Sequence, residues 1–222
     1  MYKKIRYFAI LVMIITLAAC SGRPDVSQDQ QDKNADTLKV VESKAYELYG
    51  IKSGIITYKI VDLFGDQQMK ITFDRYGAIK RTDMEISMFG QKIQNVSISD
   101  STSAVSWDPK SMTGNRAKLD PTGPDWINFT ALSDSIIKAY NIKEIGKEEV
   151  LGKPCVIYSL EFKEGDLSGK YSIWNGITLK MVAKAKGKET KMEAIKLEEN
   201  VTLPADVFKI PDGIVFKDLE SL

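Results

Sequence analysis

The 222-residue chain contains no histidine. That removes Ser-His triads, Cys-His dyads, imidazole proton shuttles and histidine-rich zinc sites together, because each needs an imidazole that takes a proton or a metal near neutral pH. Cysteine is almost missing: Cys20 and Cys155 are the only two, too few for a thiolate metal cluster. An excess of one charge is lacking as well. Thirty-one basic residues face thirty acidic ones, a net of +1. With both signs interspersed, the chain has no electrostatic footprint for nucleic acid. Glycines are present, but Gly50, Gly54, Gly65 and Gly77 punctuate strands and lack the spacing of a phosphate-binding loop. Glu148, Glu149, Glu198 and Glu199 stand in wet stretches interleaved with lysine, so nothing supports a paired-carboxylate hydrolase. No enzyme, cofactor or metal is expected.

Long apolar runs are also absent, and the one short run gives a cellular address. Lys3, Lys4 and Arg6 precede an apolar stretch from Phe8 to Leu17, about ten residues where a spanning helix needs about 20. It ends in Leu17-Ala18-Ala19-Cys20, which resembles the lipobox of bacterial lipoproteins. The resemblance implies that residues 1–20 hold a signal peptide with its lipobox, the signal being cut off so that Cys20 becomes the new N-terminus. Cys20 would then be diacylated, palmitate among its chains, and would hold the mature protein to a membrane without spanning it. Each buried methylene adds about 0.8 kcal/mol to such an anchor. Losing Lys3, Lys4 and Arg6 with the signal moves the net charge to −2. Cys155 becomes the only thiol of the mature chain. It follows Gly152-Lys153-Pro154 and opens an apolar strand, so it reads as buried and structural.

Residues 21–36 are polar and without aromatics, the composition of a disordered tether. A single domain over 37–222 is expected to follow. Thr37 to Tyr49 reads as a short helix or an irregular lead-in. From Ile55 to Met88 a period of two takes over. Ile56, Tyr58 and Ile60 alternate with polar neighbours, as do Met69, Ile71 and Phe73, then Met84, Ile86 and Met88. Such alternation places one row on each sheet face, and the short connections require antiparallel neighbours. The prediction is a sheet with one wet and one apolar face. Val96 with Ile98, and Val105 with Trp107, continue it. Residues 109–125, rich in Pro and Gly, read as a loop or short hairpin forming a lid or rim. Ser133 to Asn141 is the clearest helix, with Ser133 as N-cap and Ile136, Ile137 and Tyr140 on one face. Strands return over 144–151, 155–163, 169–186 and 190–203, with Asn175-Gly176 as a tight turn or a kink. The basic run Lys180, Lys184, Lys186, Lys188 and Lys191 reads as a solvated face rather than a contact with anionic lipid.

Lipobox, tether, long antiparallel run, short helix and then Gly152-Lys153-Pro154-Cys155-Val156-Ile157-Tyr158 and Trp174-Asn175-Gly176-Ile177-Thr178-Leu179-Lys180 together resemble the outer-membrane lipoprotein carrier and receptor superfamily (LolA/LolB-like). The resemblance implies an α+β fold: a strongly curved antiparallel sheet, an incomplete β-barrel, with a short helical plug over its concave apolar face. It also implies an acyl chain bound between sheet and plug. The candidate lining is Tyr58, Ile60, Ile71, Phe73, Met84, Ile86, Met88, Trp107, Ile136, Ile137, Tyr140 and Tyr158. The same side chains could equally form a filled core. The leading expectation is a monomeric, non-enzymatic binder or carrier of a lipid or other hydrophobic ligand. It would be lipid-anchored in the cell envelope, at the outer membrane facing the periplasm. The alternative is a structural lipoprotein with a filled core that docks an envelope protein.

Overall fold

The computed structural model describes residues 47–62, 65–88, 91–119, 126–162 and 167–219. The expected signal peptide, Cys20, the tether and the lead-in up to residue 46 lie outside them. The described chain forms strands β1 (Gly54–Asp62), β2 (Gly65–Asp74), β3 (Ile79–Met88), β4 (Gln91–Asp100), β5 (Ser103–Asp108), β6 (Thr113–Lys118), β7 (Lys143–Val150), β8 (Lys153–Phe162), β9 (Leu167–Trp174), β10 (Ile177–Ala185), β11 (Lys188–Glu199) and β12 (Val215–Asp218). They make one curved sheet in the order β12-β6-β5-β4-β3-β2-β1-β11-β10-β9-β8-β7. Two meanders, β1–β6 and β7–β11, join where β1 pairs antiparallel with β11. β7 and β12 remain as edges, so the sheet is not closed into a barrel. One pair departs from the antiparallel expectation: β12 runs parallel to β6.

Turn chemistry explains the meander. At Leu151-Gly152, Asn175-Gly176 and Lys186-Gly187 both central residues have positive φ (53° and 70°, 47° and 77°, 47° and 74°). That backbone twist matches the flanking strands, and glycine takes the second position without a Cβ penalty. Asn175-Gly176 is therefore a hairpin turn that splits the predicted strand 169–186 into β9 and β10. Of residues 109–125, those up to 119 are described, and they form the short hairpin between β5 and β6 that the sequence allowed. The Asp108 carboxylate accepts from the backbone N–H of Lys110 at 2.7 Å and of Ser111 at 3.3 Å. The chain turns there and returns as β6.

The expected helix is present over Asp134–Ala139. Ser133 caps it, its Oγ accepting from Ile136 N at 3.4 Å, with Asp134 in the first turn and Lys138 in the last, as the macrodipole favours. None of its residues is buried.

The register overturns the expectation of one apolar face along the whole sheet. Residues directly opposite share a face. Tyr58 opposes Met69 and Ala194, Met69 opposes Met84, and Phe73 opposes Lys80. Ile79, one step from Lys80, therefore lies on the other face. So do Ile98, opposite Arg81, then Val105, opposite Ile98, and Trp107, opposite Val96. The first face carries the large core of β1, β2 and β9–β11. The second face carries a separate core over β3–β6, covered by Phe208, Ile210, Ile214 and Phe216 of the C-terminal segment. On the first face the row continuing from Ile71 reads Thr82, Ser97, Ser106, Asn115. It is small, polar and uncharged. The change of buried face is why alternation read strand by strand looked uniform: each strand alternates, but the apolar phase shifts between β2 and β4.

Candidate functional site

The candidate lining residues are distributed among three clusters. Tyr58, Ile60 and Phe73 are buried in the core of the first face, with Ile71 and Met84 packed against it. Ile86 is buried too. Trp107 is buried in the second-face core, so it cannot line a space shared with Phe73. Ile136, Tyr140 and Tyr158 belong to a third cluster, where the helix lies over β8 and β9 around Ile127, Ile142 and Leu160. Ile137, expected inside, is exposed. It follows the N-terminal turn of a two-turn helix whose sheet-facing side is taken by Ile136 and Tyr140. The side chain of Met88 lies outside the described residues.

The first-face core is tightly built. Phe73 is 0% exposed and stacks edge-on against Tyr49, with ring centroids 4.8 Å apart. A Cβ at Gly54 would stand 2.6 Å from the Phe73 ring, so glycine lets ring and strand touch. The Tyr58 hydroxyl donates to Thr178 O at 2.9 Å. Burial pushes its pKa well above the ordinary tyrosine value, and it stays a neutral donor. The helix cluster is looser. Phe129, Leu132, Ile136, Tyr140, Tyr158, Phe162 and Tyr171 are all only partly buried around its three buried members. Phe129 lies 5.4 Å from Tyr158 and Tyr140 5.0 Å from Phe162, ring to ring.

A strut closes one end of the sheet. Leu48 N and Tyr49 N both donate to Tyr76 O (2.8 and 2.9 Å), Tyr76 N donates to Lys52 O (2.8 Å), and Gly50 N donates to Asn175 O (2.8 Å). Residues 48–52 thus tie the β2–β3 connection to the β9–β10 turn. Gly176 is required there: a Cβ would meet Leu48 O at 2.1 Å. Asn128 Nδ2 adds a bond to Glu47 O at 2.8 Å.

Grooves on the described surface include the following two. One, of about 240 Å³, is lined by Lys59, Asp66, Gln67, Gln68, Glu85, Ser87 and Ile195. The other, of about 330 Å³, runs along Lys147, Glu148, Glu149, Pro154, Cys155 and Val156. Neither includes a candidate lining residue. Beside the second groove is a polar constellation that sequence reading missed. Glu148 accepts from the Ser172 hydroxyl and from Lys180 Nζ at 2.9 Å. The hydrogen bond from Lys180, then that from Ser172, holds the Glu148 carboxyl below its ordinary range. The bond to Glu148 raises the Lys180 ammonium in turn. A carboxylate this well paired is a poor base, and a lysine held protonated cannot activate Ser172. The arrangement is an ion pair, not a catalytic dyad. Glu148 and Ser172 are 24 positions apart and on strands separated by β8, so only the register brings them together. Burial raises the Cys155 thiol above its ordinary value. Its Sγ donates to Lys153 O at 3.4 Å, the inert state expected of a structural cysteine. The basic run is interleaved with acid: Lys184 and Lys191 reach Glu189 at 3.7 and 3.3 Å, and Lys196 reaches Glu198 at 3.0 Å. No cluster of three or more acidic or cysteine side chains suited to a metal occurs among the described residues.

No protein-family model matches the chain, and no curated protein matches it. Solved structures are similar to it at low identity. An uncharacterized conserved protein from Thermus thermophilus is similar over 79% of this chain and 95% of its own, at 8% identity and a TM-score of 0.54. MucB is similar over 77% of this chain and 62% of its own, at 12% identity and a TM-score of 0.48. A putative outer membrane lipoprotein-sorting protein domain from Vibrio parahaemolyticus covers 73% and 91%, at 11% identity and a TM-score of 0.34. The first likeness is one of fold, and the other two agree over too little of their geometry to add to it.

Proposed function

We propose that this chain is a non-enzymatic lipoprotein of the cell envelope, anchored through Cys20, that acts by docking a protein partner on its outer surface or sheet edge. The lipobox-like Leu17-Ala18-Ala19-Cys20 supports the anchor. The observation that carries the docking reading is the division of the interior. Two cores on opposite faces are filled by the chain's own side chains, with Phe73, Ile98 and Leu179 at 0% exposure. A protein whose interior is occupied has its surface left for function.

A second reading, the acyl-chain carrier, is favoured by one observation: the loose aromatic layer between the helix and β8–β9. An acyl chain would enter there by displacing the helix, not under β1–β3. Native mass spectrometry of the purified mature protein separates the two. The docking reading expects the bare acylated mass. A co-purified lipid in stoichiometric amount would replace it with the carrier reading. Cys20→Ser should abolish acylation and processing, and membrane association with unchanged processed mass would refute the anchor.

A further inference from the structure

The strut end of the sheet collects features that point the same way. Antiparallel alternation puts the β2–β3 connection, the β7–β8 turn and the β9–β10 turn at one end, because Gly54 opposes Phe73 and Glu199, and β10 leaves Asn175-Gly176 beside them. Two large exposed hydrophobics, Tyr76 and Leu151, stand on these turns. Arg75 and Tyr76 are consecutive non-glycine residues in the left-handed region, with φ of 52° and 58°. That conformation is costly for side chains of this size and persists because the strut's bonds to Tyr76 hold it. Tyr76 is 37% exposed, next to Arg75 in the chain and bonded through its N–H to Lys52 O; Arg75 and Lys52 are exposed too. The neighbouring acid, Asp74, caps this turn, its Oδ1 accepting from Arg75 N at 2.8 Å. Glu47, exposed at the same end, is where the described chain begins.

We infer that this end, through Tyr76, Leu151, Arg75 and Lys52, rests on the anionic headgroup layer of the membrane that holds the lipid anchor. The inference rests on the proposed anchor at Cys20. Twenty-six residues separate Cys20 from Glu47, and a coil of that length would reach on the order of 25–30 Å. A ten-residue strand is about 33 Å long, so the strut end is held nearer the bilayer than the opposite turns. Tethering raises the effective concentration of surface at this end, and a weak contact then suffices. The side chains suit it. A tyrosine presents an apolar ring and a polar tip at headgroup depth, a leucine adds apolar area, and two cations meet anionic lipid. The Glu148 network and the β7 edge are left free for a partner.

The test uses the full acylated protein in vesicles of phosphatidylethanolamine with about one-quarter phosphatidylglycerol, since the attraction depends on anionic lipid. An environment-sensitive fluorophore is placed at Tyr76→Cys or, on the opposite end, at Lys186→Cys, both in a Cys155→Ala background. The expected result is a blue shift and quenching by a lipid-borne quencher at position 76 and neither at 186. Combining Lys52→Ser and Arg75→Ser should weaken the contact by about fivefold per charge at low salt. Equal signals at 76 and 186, with acylated Cys20 confirmed by intact mass, would overturn the contact and leave the anchor standing. An unacylated Cys20 would overturn both. A contact at 76 that survives the double substitution unchanged would overturn the assignment to anionic headgroups.

Discussion

Phe73→Ala probes the first-face core most directly. The ring is fully buried, stacks on Tyr49 and lies against the backbone at Gly54. Truncating a buried phenylalanine removes about 3–5 kcal/mol, and the lost aromatic pair adds about 0.5–1.5 kcal/mol where the cavity does not collapse. A loss of about 4–6 kcal/mol is expected, a large share of the roughly 5–15 kcal/mol that holds a domain folded. Lys70 is the control. It lies on the other face of the same strand, its ammonium 3.9 Å from Asp83, which already takes three hydrogen bonds from Arg81. Lys70→Ala should therefore stay within about 0.5 kcal/mol. Gly54 supplies a sharper check. An added Cβ would stand 2.6 Å from the Phe73 ring and 2.8 Å from Glu198 O. Gly54→Ala should destabilise the wild type, and should cost less in Phe73→Ala, where only the backbone clash remains. Urea unfolding of the two single mutants and the double mutant closes the cycle. Equal losses for Phe73→Ala and Lys70→Ala, or a Gly54–Phe73 coupling of zero, would refute the packing described here.

Other consequences are quickly checked. Glu148 has a folded pKa below its unfolded value, so its pair with Lys180 and Ser172 stabilises the protein above about pH 4.5 and fades as pH falls through the lower folded value. The melting temperature of Glu148→Gln should trail the wild type at neutral pH, and the gap should close in acid. The Cys155 thiol should react slowly with a disulfide reagent at neutral pH in the native protein and promptly in urea, because burial both shields it and keeps it protonated. Ending the chain at Pro204 removes Phe208, Ile210, Ile214 and Phe216 from the second face. Dye binding and a red shift of Trp107 emission should follow, while an unchanged spectrum would mean that the segment does not cover Trp107.

The sequence made individual strands legible because period-two alternation acts within a strand, and all the strands from Ile55 to Met88 were found there. The capped helix at Ser133 was equally visible. What a strand's own pattern cannot carry is phase between strands. Trp107 and Phe73 look alike in one dimension. They occupy opposite faces because Lys80, not Ile79, opposes Phe73, and that is a property of the β2–β3 connection. The conformation of Arg75-Tyr76 was invisible for a related reason. Two non-glycine residues in the left-handed region go against local preference, and the strut bonds from 48, 49 and 52 join the local ones to Asp74 and Ala78 in holding them. The Glu148–Ser172–Lys180 constellation needs four strands, β7 to β10, in register, which no spacing encodes.

The division of the core also limits how cargo could be carried. A single apolar face under one plug can open by moving that plug. Here the core splits between two faces, and an acyl chain beneath β1–β3 would have to displace Phe73 and Tyr58, whose ring contact and hydroxyl bond are satisfied within the protein. Displacing a satisfied buried hydroxyl costs about 1–3 kcal/mol before any ligand contact is made. The layer under the helix is less tightly closed: Ile136 and Tyr140 are only half-buried where they pack on Ile127, Ile142 and Leu160, and the helix is tied to β8 by the Glu161 N to Tyr140 O bond at 2.9 Å and the Asn141 Nδ2 to Glu161 Oε2 bond at 2.5 Å. On adding a fatty-acyl ligand, the carrier reading expects amide exchange to respond in residues 134–142 and to stay unchanged in β1 and β2. A response in β1 and β2 on adding a fatty-acyl ligand would return the cavity to the first face and refute the filled core.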